Sequence, residues 1–361
     1  MENNRNKQLY SLEDLGYDSF FEKHKIDQNL SSFKVGRVSS EHKERYTVKT
    51  IEGDYDAEII GNLGYSSNSR EEFPAVGDWV AVSEYDDGKL LIHKVYSRKT
   101  ILERSAVGKL GERQIIASNI DFAFIVLSID RDFSVNRIER YLTICYNSNV
   151  EPIIVISKID LIDKIELSQI IELIEKRIHK VPIITISNET QSGIDILEKI
   201  IEKGKTYCLL GSSGVGKSTL INSILGKSYM KTGEIGNATN RGKHVTSYRE
   251  LILLESGGIL IDNPGMREVG LTDMTEGLRM SFEDINELSK KCRFADCTHI
   301  HEKDCAVLCA VNSGKIDSDS YENFLKMIRE KNHFESTEIE KRRKGKDFAK
   351  MVKEVKKLKR K

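Results

Sequence analysis

No run of apolar residues in this chain approaches the roughly 20 needed to cross a bilayer. The opening stretch Met1-Glu2-Asn3-Asn4-Arg5-Asn6-Lys7-Gln8 leads into no apolar signal segment either. These two absences set aside a membrane protein and a secreted one, and the expected place is the cytoplasm. Cysteine is scarce, six in 361 residues, which in an intracellular chain argues for thiols or metal ligands before disulfides. Net charge is missing as well, 56 Lys and Arg standing against 56 Asp and Glu. That zero hides an asymmetry. From Lys341 to Lys361 twelve Lys/Arg face two acids, Asp347 and Glu354, a net of +10, which leaves about −10 for the first 340 residues. A basic tail on an acidic body suits contact with RNA, since neutralising phosphates supplies sequence-independent affinity; a solvated helical tail is the plainer reading. With 39% hydrophobic and 31% charged residues the chain is globular rather than disordered. Its length calls for two or three domains.

Residues 1–30 read as a leader with one amphipathic stretch (Leu12, Leu15, Phe20, Phe21). From 31 to 101 short β-type runs alternate with turn clusters: Phe33–Val38, Tyr46–Val48, Tyr55–Ile60, Asp78–Val82 and Leu90–Val95. Five short strands in that length predict a small β-barrel of the OB-fold type. Its charge is nearly balanced, so a scaffold role stands beside nucleic-acid binding. From Asp121 the pattern turns to βα. Phe122–Ile129, Ile153–Ile156, Val181–Ile186 and Tyr207–Leu210 are apolar strands, with a helix over Ile165–Ile178. Strands apolar on both faces and alternating with helices imply a parallel sheet wrapped by helices. Two more strands, Glu250–Leu254 and Gly258–Asp262, close a domain spanning 102–275, and a cysteine-rich helical domain with the basic tail occupies 276–361.

Gly211-Ser212-Ser213-Gly214-Val215-Gly216-Lys217-Ser218-Thr219 follows an apolar strand and opens a helix, the context of a phosphate-binding loop. Its glycines let backbone N–H groups curl around phosphates at a helix N-terminus. Lys217 is placed for the β- and γ-phosphates and the Ser218 hydroxyl for Mg²⁺. Asp262 ends a hydrophobic strand, where a carboxylate backs the Mg²⁺ shell, and Gly265 can offer its N–H to a γ-phosphate. Between them Thr246 is the candidate to close over Mg²⁺ as a switch residue, with Ser247 as substitute. Ser157-Lys158-Ile159-Asp160 sits at a strand end. Asp160 can accept from the guanine N1–H and exocyclic amine, a donor pair that adenine lacks, and Lys158 can lie along the base. Ser187-Asn188, about 30 residues on, fits the loop that offers backbone N–H to guanine O6.

Cys292-x₄-Cys297-x-His299-x₅-Cys305 supplies three thiolates and one imidazole, a closed tetrahedral set of structural type. Cys309 and His301 are spare donors nearby. Cys145 and Cys208 fall in helix and strand patterns and read as core residues. Tyr321, Phe324, Leu325 and Ile328 form an i, i+3, i+4, i+7 stripe expected to pack on the metal module.

The guanine-reading motifs precede the phosphate loop, the reverse of the order in ordinary small GTPases, so the domain looks circularly permuted. With a barrel before it and a cysteine cluster after, residues 9–335 resemble the bacterial ribosome small-subunit-dependent GTPase family (RsgA, also called YjeQ). Phe73–Val80, Gln114–Asp121 and Gly211–Leu220 are close to that family's pattern. The resemblance implies an OB-fold N-domain, a permuted α/β P-loop GTPase and a C-terminal helical zinc domain whose ligands are Cys292, Cys297, His299 and Cys305. It further implies a GTP hydrolase, Mg-dependent, that binds the 30S subunit and its 16S rRNA as a monomer and assists late maturation. A GTP-regulated RNA-binding module and a large-subunit assembly GTPase are the alternatives. Three positions depart: Ser157 where Asn or Thr is usual, Asn188 where Ala is usual, and Val245 where a first Thr would stand. Met266 follows Gly265 where a water-orienting glutamine often sits, so intrinsic turnover is expected to be slow, on the order of 10⁻⁴ s⁻¹. His244 is then a candidate catalytic residue beside Thr246 and Lys217, and a solvent-facing switch histidine is the equal alternative.

Overall fold

The structure is a computed structural model, and it describes residues 10–42, 45–61, 72–85, 88–105, 113–130, 133–226, 249–262 and 274–332. The described residues fall into two compact units: those within 1–103 and 115–268 form the first, those within 104–114 and 269–361 the second.

The first unit opens with helix α1 (Ser19–Asp27), whose N-cap Asp18 accepts from Phe20 N–H at 3.0 Å. Strands β1 (Lys34–His42), β2 (Arg45–Thr50), β3 (Gly53–Ile59), β4 (Trp79–Tyr85) and β5 (Lys89–Val95) follow. They pair in the order β1-β2-β3-β5-β4, and β4 returns to β1, which closes a five-stranded barrel. In β2 the inward residues Tyr46, Val48 and Thr50 alternate with more exposed ones, the period-2 signature of a strand with one buried face. By contrast Trp79, Val80, Ala81 and Val82 of β4 are all buried. The reason is a second core on the barrel's outer side. Val80 and Val82 face Val38, Val48, Leu90 and Ile92 inside. Trp79 and Ala81 face Leu15, Tyr17, Phe21 and Leu30 outside. The amphipathic stretch of residues 12–21 is thus built into the fold.

After the barrel in the chain, β6 (Ile101–Ser105) pairs with β7 (Arg113–Ser118), two strands that the sequence pattern did not predict. Asp78, fully buried, holds this region together. It receives Arg98 Nε and Nη2 at 2.8 and 2.7 Å, the Ser118 hydroxyl at 2.5 Å and the Ala75 N–H at 2.8 Å.

The parallel sheet runs β10-β9-β8-β11-β13, made of β8 (Phe122–Ser128), β9 (Glu151–Ser157), β10 (Ile183–Thr185), β11 (Thr206–Leu210) and β13 (Ile259–Asp262). Antiparallel β12 (Glu250–Leu253) flanks β13 and meets barrel strand β1 at Ser40↔Glu250, so barrel and nucleotide domain share one continuous sheet. Helices α2 (Val135–Asn147), α3 (Lys164–Glu175), α4 (Ile194–Ile200) and α5 (Lys217–Ile224) connect the strands. Helix α3 begins on a capping box, Asp163 with Glu166, and stops at Glu175, short of the predicted Ile178. Strand β10 covers only three of the six predicted residues. Cys145 and Cys208 are fully buried in this domain.

The second unit holds α6 (Thr275–Ser281), α7 (Glu283–Ser289) and α8 (Ala306–Asn312), then a helix from 318 through 332. Of the predicted stripe on that last helix, the Tyr321 hydroxyl donates to His299 O at 2.5 Å and Phe324 meets Phe282 at 5.3 Å. Its most buried residue is Met327, which the stripe did not include. Among the described residues no helix is long and apolar enough to cross a membrane.

Candidate nucleotide site and metal centre

In an open parallel sheet, ligands bind beyond the carboxyl ends of the strands, and there the predicted residues gather. Strand β11 runs into Gly211, whose φ of 148° and close approach to Val126 O (a Cβ would stand 2.3 Å from it) admit no side chain. The loop then turns through Gly214 and Gly216 into α5. Lys217 Nζ curls back onto its own loop, donating to Gly211 O at 2.7 Å and Ser212 O at 2.5 Å. Phosphate oxygens are stronger acceptors for the same donors.

Strand β9 ends at Ser157, fully buried, whose hydroxyl lies 2.7 Å from Val215 O and so ties the base loop to the phosphate loop. Lys158 takes a left-handed conformation at φ 63°, an unusual backbone for lysine. Its ammonium bridges to Asp130 at 2.6 Å. Asp160 follows in a 3₁₀ turn, Ile159–Leu161, and accepts the Ser187 hydroxyl at 2.5 Å. Ser187 in turn receives Thr190 N–H at 3.1 Å, and Asn188 Nδ2 reaches Gly216 O at 3.4 Å. Asp262 closes β13 beside these groups. Burial raises its pKa to about 6, opposed by the Lys217 charge. Ser157, Lys158, Asp160, Ser187, Asn188, Gly211–Thr219 and Asp262 therefore lie at the carboxyl ends of neighbouring strands β9, β10, β11 and β13. His244, Thr246, Ser247, Gly265 and Met266 lie outside the described residues.

Two residues absent from the sequence reading join the site. Asp130, just past the end of β8, accepts the Ser128 hydroxyl at 2.7 Å as well as the Lys158 ammonium. Arg137, in the first turn of α2, places Nη1 3.3 Å from the Ser212 hydroxyl. A carboxylate just beyond an apolar strand, as at Asp262, was the available signal for Asp130.

In the second unit the ligand atoms of Cys292, Cys297, His299 and Cys305 all lie within 4.8 Å of one another. Cys292 Sγ stands 3.8 Å from Cys305 Sγ, and His299 Nδ1 stands 3.6 and 3.4 Å from them. A tetrahedral ion with bonds of about 2.3 Å to sulfur and about 2.0 Å to nitrogen has edges of about 3.8 and about 3.5 Å, so the donor set fits such an ion. Protonation points the same way. Cys297 is pushed up to about 11 by burial, which the neighbouring Cys305 and Cys292 reinforce. Burial also raises Cys292, yet N–H groups of Val307 and Ala306 bring it below its ordinary value. Cys292 and Cys297 are thus displaced in opposite directions, and a cation between them would favour both thiolates. The ligand loop is held by Glu302, which accepts from Thr298 N–H (2.8 Å), Ile300 N–H (3.0 Å), His301 N–H (3.2 Å) and the Thr298 hydroxyl. Glu302 too went unread in the sequence.

Comparison with known proteins follows the same lines. A family profile described as RsgA GTPase matches residues 95–272. The chain is 39% identical over 358 residues to small ribosomal subunit biogenesis GTPase RsgA 1 of Bacteroides thetaiotaomicron, covering 99% of this chain and 98% of that one. It is 42% identical to RsgA 1 of Listeria innocua, covering 88% and 89%. Among solved structures, YjeQ from Thermotoga maritima superimposes with a TM-score of 0.62 at 28% identity, covering 82% of this chain and 98% of that one. YloQ, described as a circularly permuted GTPase, shares the fold with a TM-score of 0.61 at 24% identity over 82% and 94%.

Proposed function

This chain belongs to the RsgA family of circularly permuted GTPases, and from that premise we propose that it binds the small (30S) ribosomal subunit and assists its late maturation, hydrolysing GTP to GDP. The observation that carries the reading is the near full-length similarity to proteins described as small ribosomal subunit biogenesis GTPases. The site supports it residue by residue. Asp160, its carboxylate steadied by Ser187, would read the guanine edge, and Lys158, held by Asp130, would lie along the base. The N–H groups of the phosphate loop and Lys217 would bind the β- and γ-phosphates. Ser218 and Thr246 would hold Mg²⁺ with Asp262 behind, and the ion would neutralise charge on the phosphate oxygens.

Hydrolysis breaks the bond between the γ-phosphorus and the β–γ bridging oxygen as water adds to phosphorus. With Met266 after Gly265, a thioether follows in sequence where a water-orienting glutamine often stands, so we assign that role to His244 in the subunit-bound enzyme. The Cys₃His cluster would hold one structural zinc ion. The barrel, the metal module and the basic tail would meet 16S rRNA, in the cytoplasm.

Turnover of GTP titrated with purified 30S subunits tests the reading. The expected result is slow hydrolysis alone, at least a tenfold rise with 30S but not 50S, and no use of ATP. Absence of any 30S stimulation would sink it. His244→Ala is expected to abolish the stimulated rate while leaving GTP affinity intact.

A further inference from the structure

Each of the two base loops sends one side chain to the phosphate loop. The Ser157 hydroxyl lies 2.7 Å from Val215 O and 3.1 Å from Leu127 O. A hydroxyl carries one proton, so it serves these two carbonyls by turns, and its tie to the phosphate loop is divided with strand β8. The Asn188 amide reaches the very next carbonyl, Gly216 O, at 3.4 Å. Asn188 Oδ1 is buried with no hydrogen-bond partner. The other three such atoms among the described residues, on Gln28, Trp79 and Tyr96, belong to the leader and barrel. The amide's orientation is set by chemistry: turned over, Oδ1 would face the Gly216 carbonyl, acceptor against acceptor. The fit also depends on glycine, because a Cβ at Gly216 would stand 3.0 Å from Asn188 Nδ2.

We propose that Asn188 is a positioning residue whose side chain fastens the base loop to the phosphate loop and so sets how long a guanine nucleotide stays bound. The inference rests on the GTP reading of the site and deepens it. A bound nucleotide is held at two ends, the base by residues 158–160 and 187–188 and the phosphates by 211–218. If the loops move independently, each end opens alone and release follows from either. Fastened at two consecutive carbonyls, they open together, which is rarer. Ser157 gives the shorter tie, but its one proton is divided between Val215 O and Leu127 O, so the fastening is part-time. Asn188 supplies the undivided donor from the opposite loop.

The experiment is release of a fluorescent (mant) GDP from the full chain by stopped flow, with Mg²⁺. Asn188→Ala is expected to speed release about fivefold to tenfold with little change in association. Asn188→Asp, isosteric but without a donor, is expected to release faster still, which loss of packing would not explain. Adding Ser157→Asn to Asn188→Ala returns an amide to the site from the other loop, and release should come back within about twofold of wild type. Unchanged release in Asn188→Ala, or a double variant as fast as the single one, overturns the proposal while leaving the GTP reading intact. A wild-type chain that binds no mant-GDP overturns the GTP reading itself, and this inference with it.

Discussion

Asp262 and Asp130 show how much the setting of one carboxyl decides. Asp262 is raised to about 6 by burial, with the Lys217 charge pulling against it, from the ordinary aspartate value of 3.8. Between those two values the folded chain binds more protons than the unfolded one, so stability falls as pH rises. The contribution is fully present below 3.8 and is lost as pH climbs through 6. Asp262→Asn has no such dependence. In Mg-free, nucleotide-free protein, wild type should therefore lose on the order of 2 kcal/mol relative to the variant between pH 4 and 7, read from denaturant melts at several pH values. A gap that stays constant across that range would contradict the assignment. Asp130 is a milder case. Its bridge to Lys158 is a quarter to a third exposed, and such pairs contribute about 1 kcal/mol or less. Asp130→Asn should thus raise the KM for GTP no more than about fivefold with kcat unchanged; a large fall in kcat would mean that Asp130 does more than hold the lysine.

At the scale of elements, the Cys₃His loop makes a prediction that thiol counting can check. Cys309 is exposed, Cys145 and Cys208 are buried, and the other three cysteines converge with His299. With metal bound, a thiol reagent should modify Cys309 alone. A strong chelator should release Cys292, Cys297 and Cys305 as well, leaving Cys145 and Cys208 protected until global unfolding. If the three ligand thiols react before chelation, the cluster holds no metal. Glu302→Ala, by freeing the N–H groups that shape the ligand loop, should weaken metal affinity about 10–100-fold, the usual range for an outer partner. The elements themselves were legible to different degrees. Parallel strands β8, β9 and β11 announced themselves because strands buried on both faces are unbroken apolar runs. The pair β6 and β7 did not, since Glu103 and Arg104 or Arg113 and Gln114 interrupt any apolar pattern. In the site, motifs contiguous in sequence could be read directly. The ties between them could not: Ser157 and Val215 are 58 residues apart and Lys158 and Asp130 are 28 apart, distances that only the folded sheet closes.

At the scale of the molecule, barrel and nucleotide domain join through the Ser40↔Glu250 pairing and through Arg37, a charge buried to 1% exposure. Its guanidinium touches neutral acceptors: Gly77 O at 3.2 Å, Leu15 O at 2.5 Å, Asn119 O at 3.1 Å and the Thr206 hydroxyl at 3.0 Å. Those four groups belong to the barrel, the amphipathic leader, the segment after β7 and the start of β11. Burial draws the Arg37 pKa down to about 10, with Asp121 and Asp78 opposing at longer range, so it stays charged at neutral pH. One side chain thereby fixes four parts of the chain at once. Arg37→Met would keep the volume and strand the acceptors without donors, at about 1–3 kcal/mol for each group that water cannot reach. We expect a net loss of about 3–5 kcal/mol, comparable to breaking a buried charge pair. Arg37→Lys should recover only part of it, because three donors on one nitrogen cannot span acceptors set around a planar fork. Melting of the two variants against wild type decides the matter. A loss below about 1 kcal/mol in Arg37→Met would mean that the apolar cores alone hold barrel to GTPase, and that Arg37 is tolerated there rather than required.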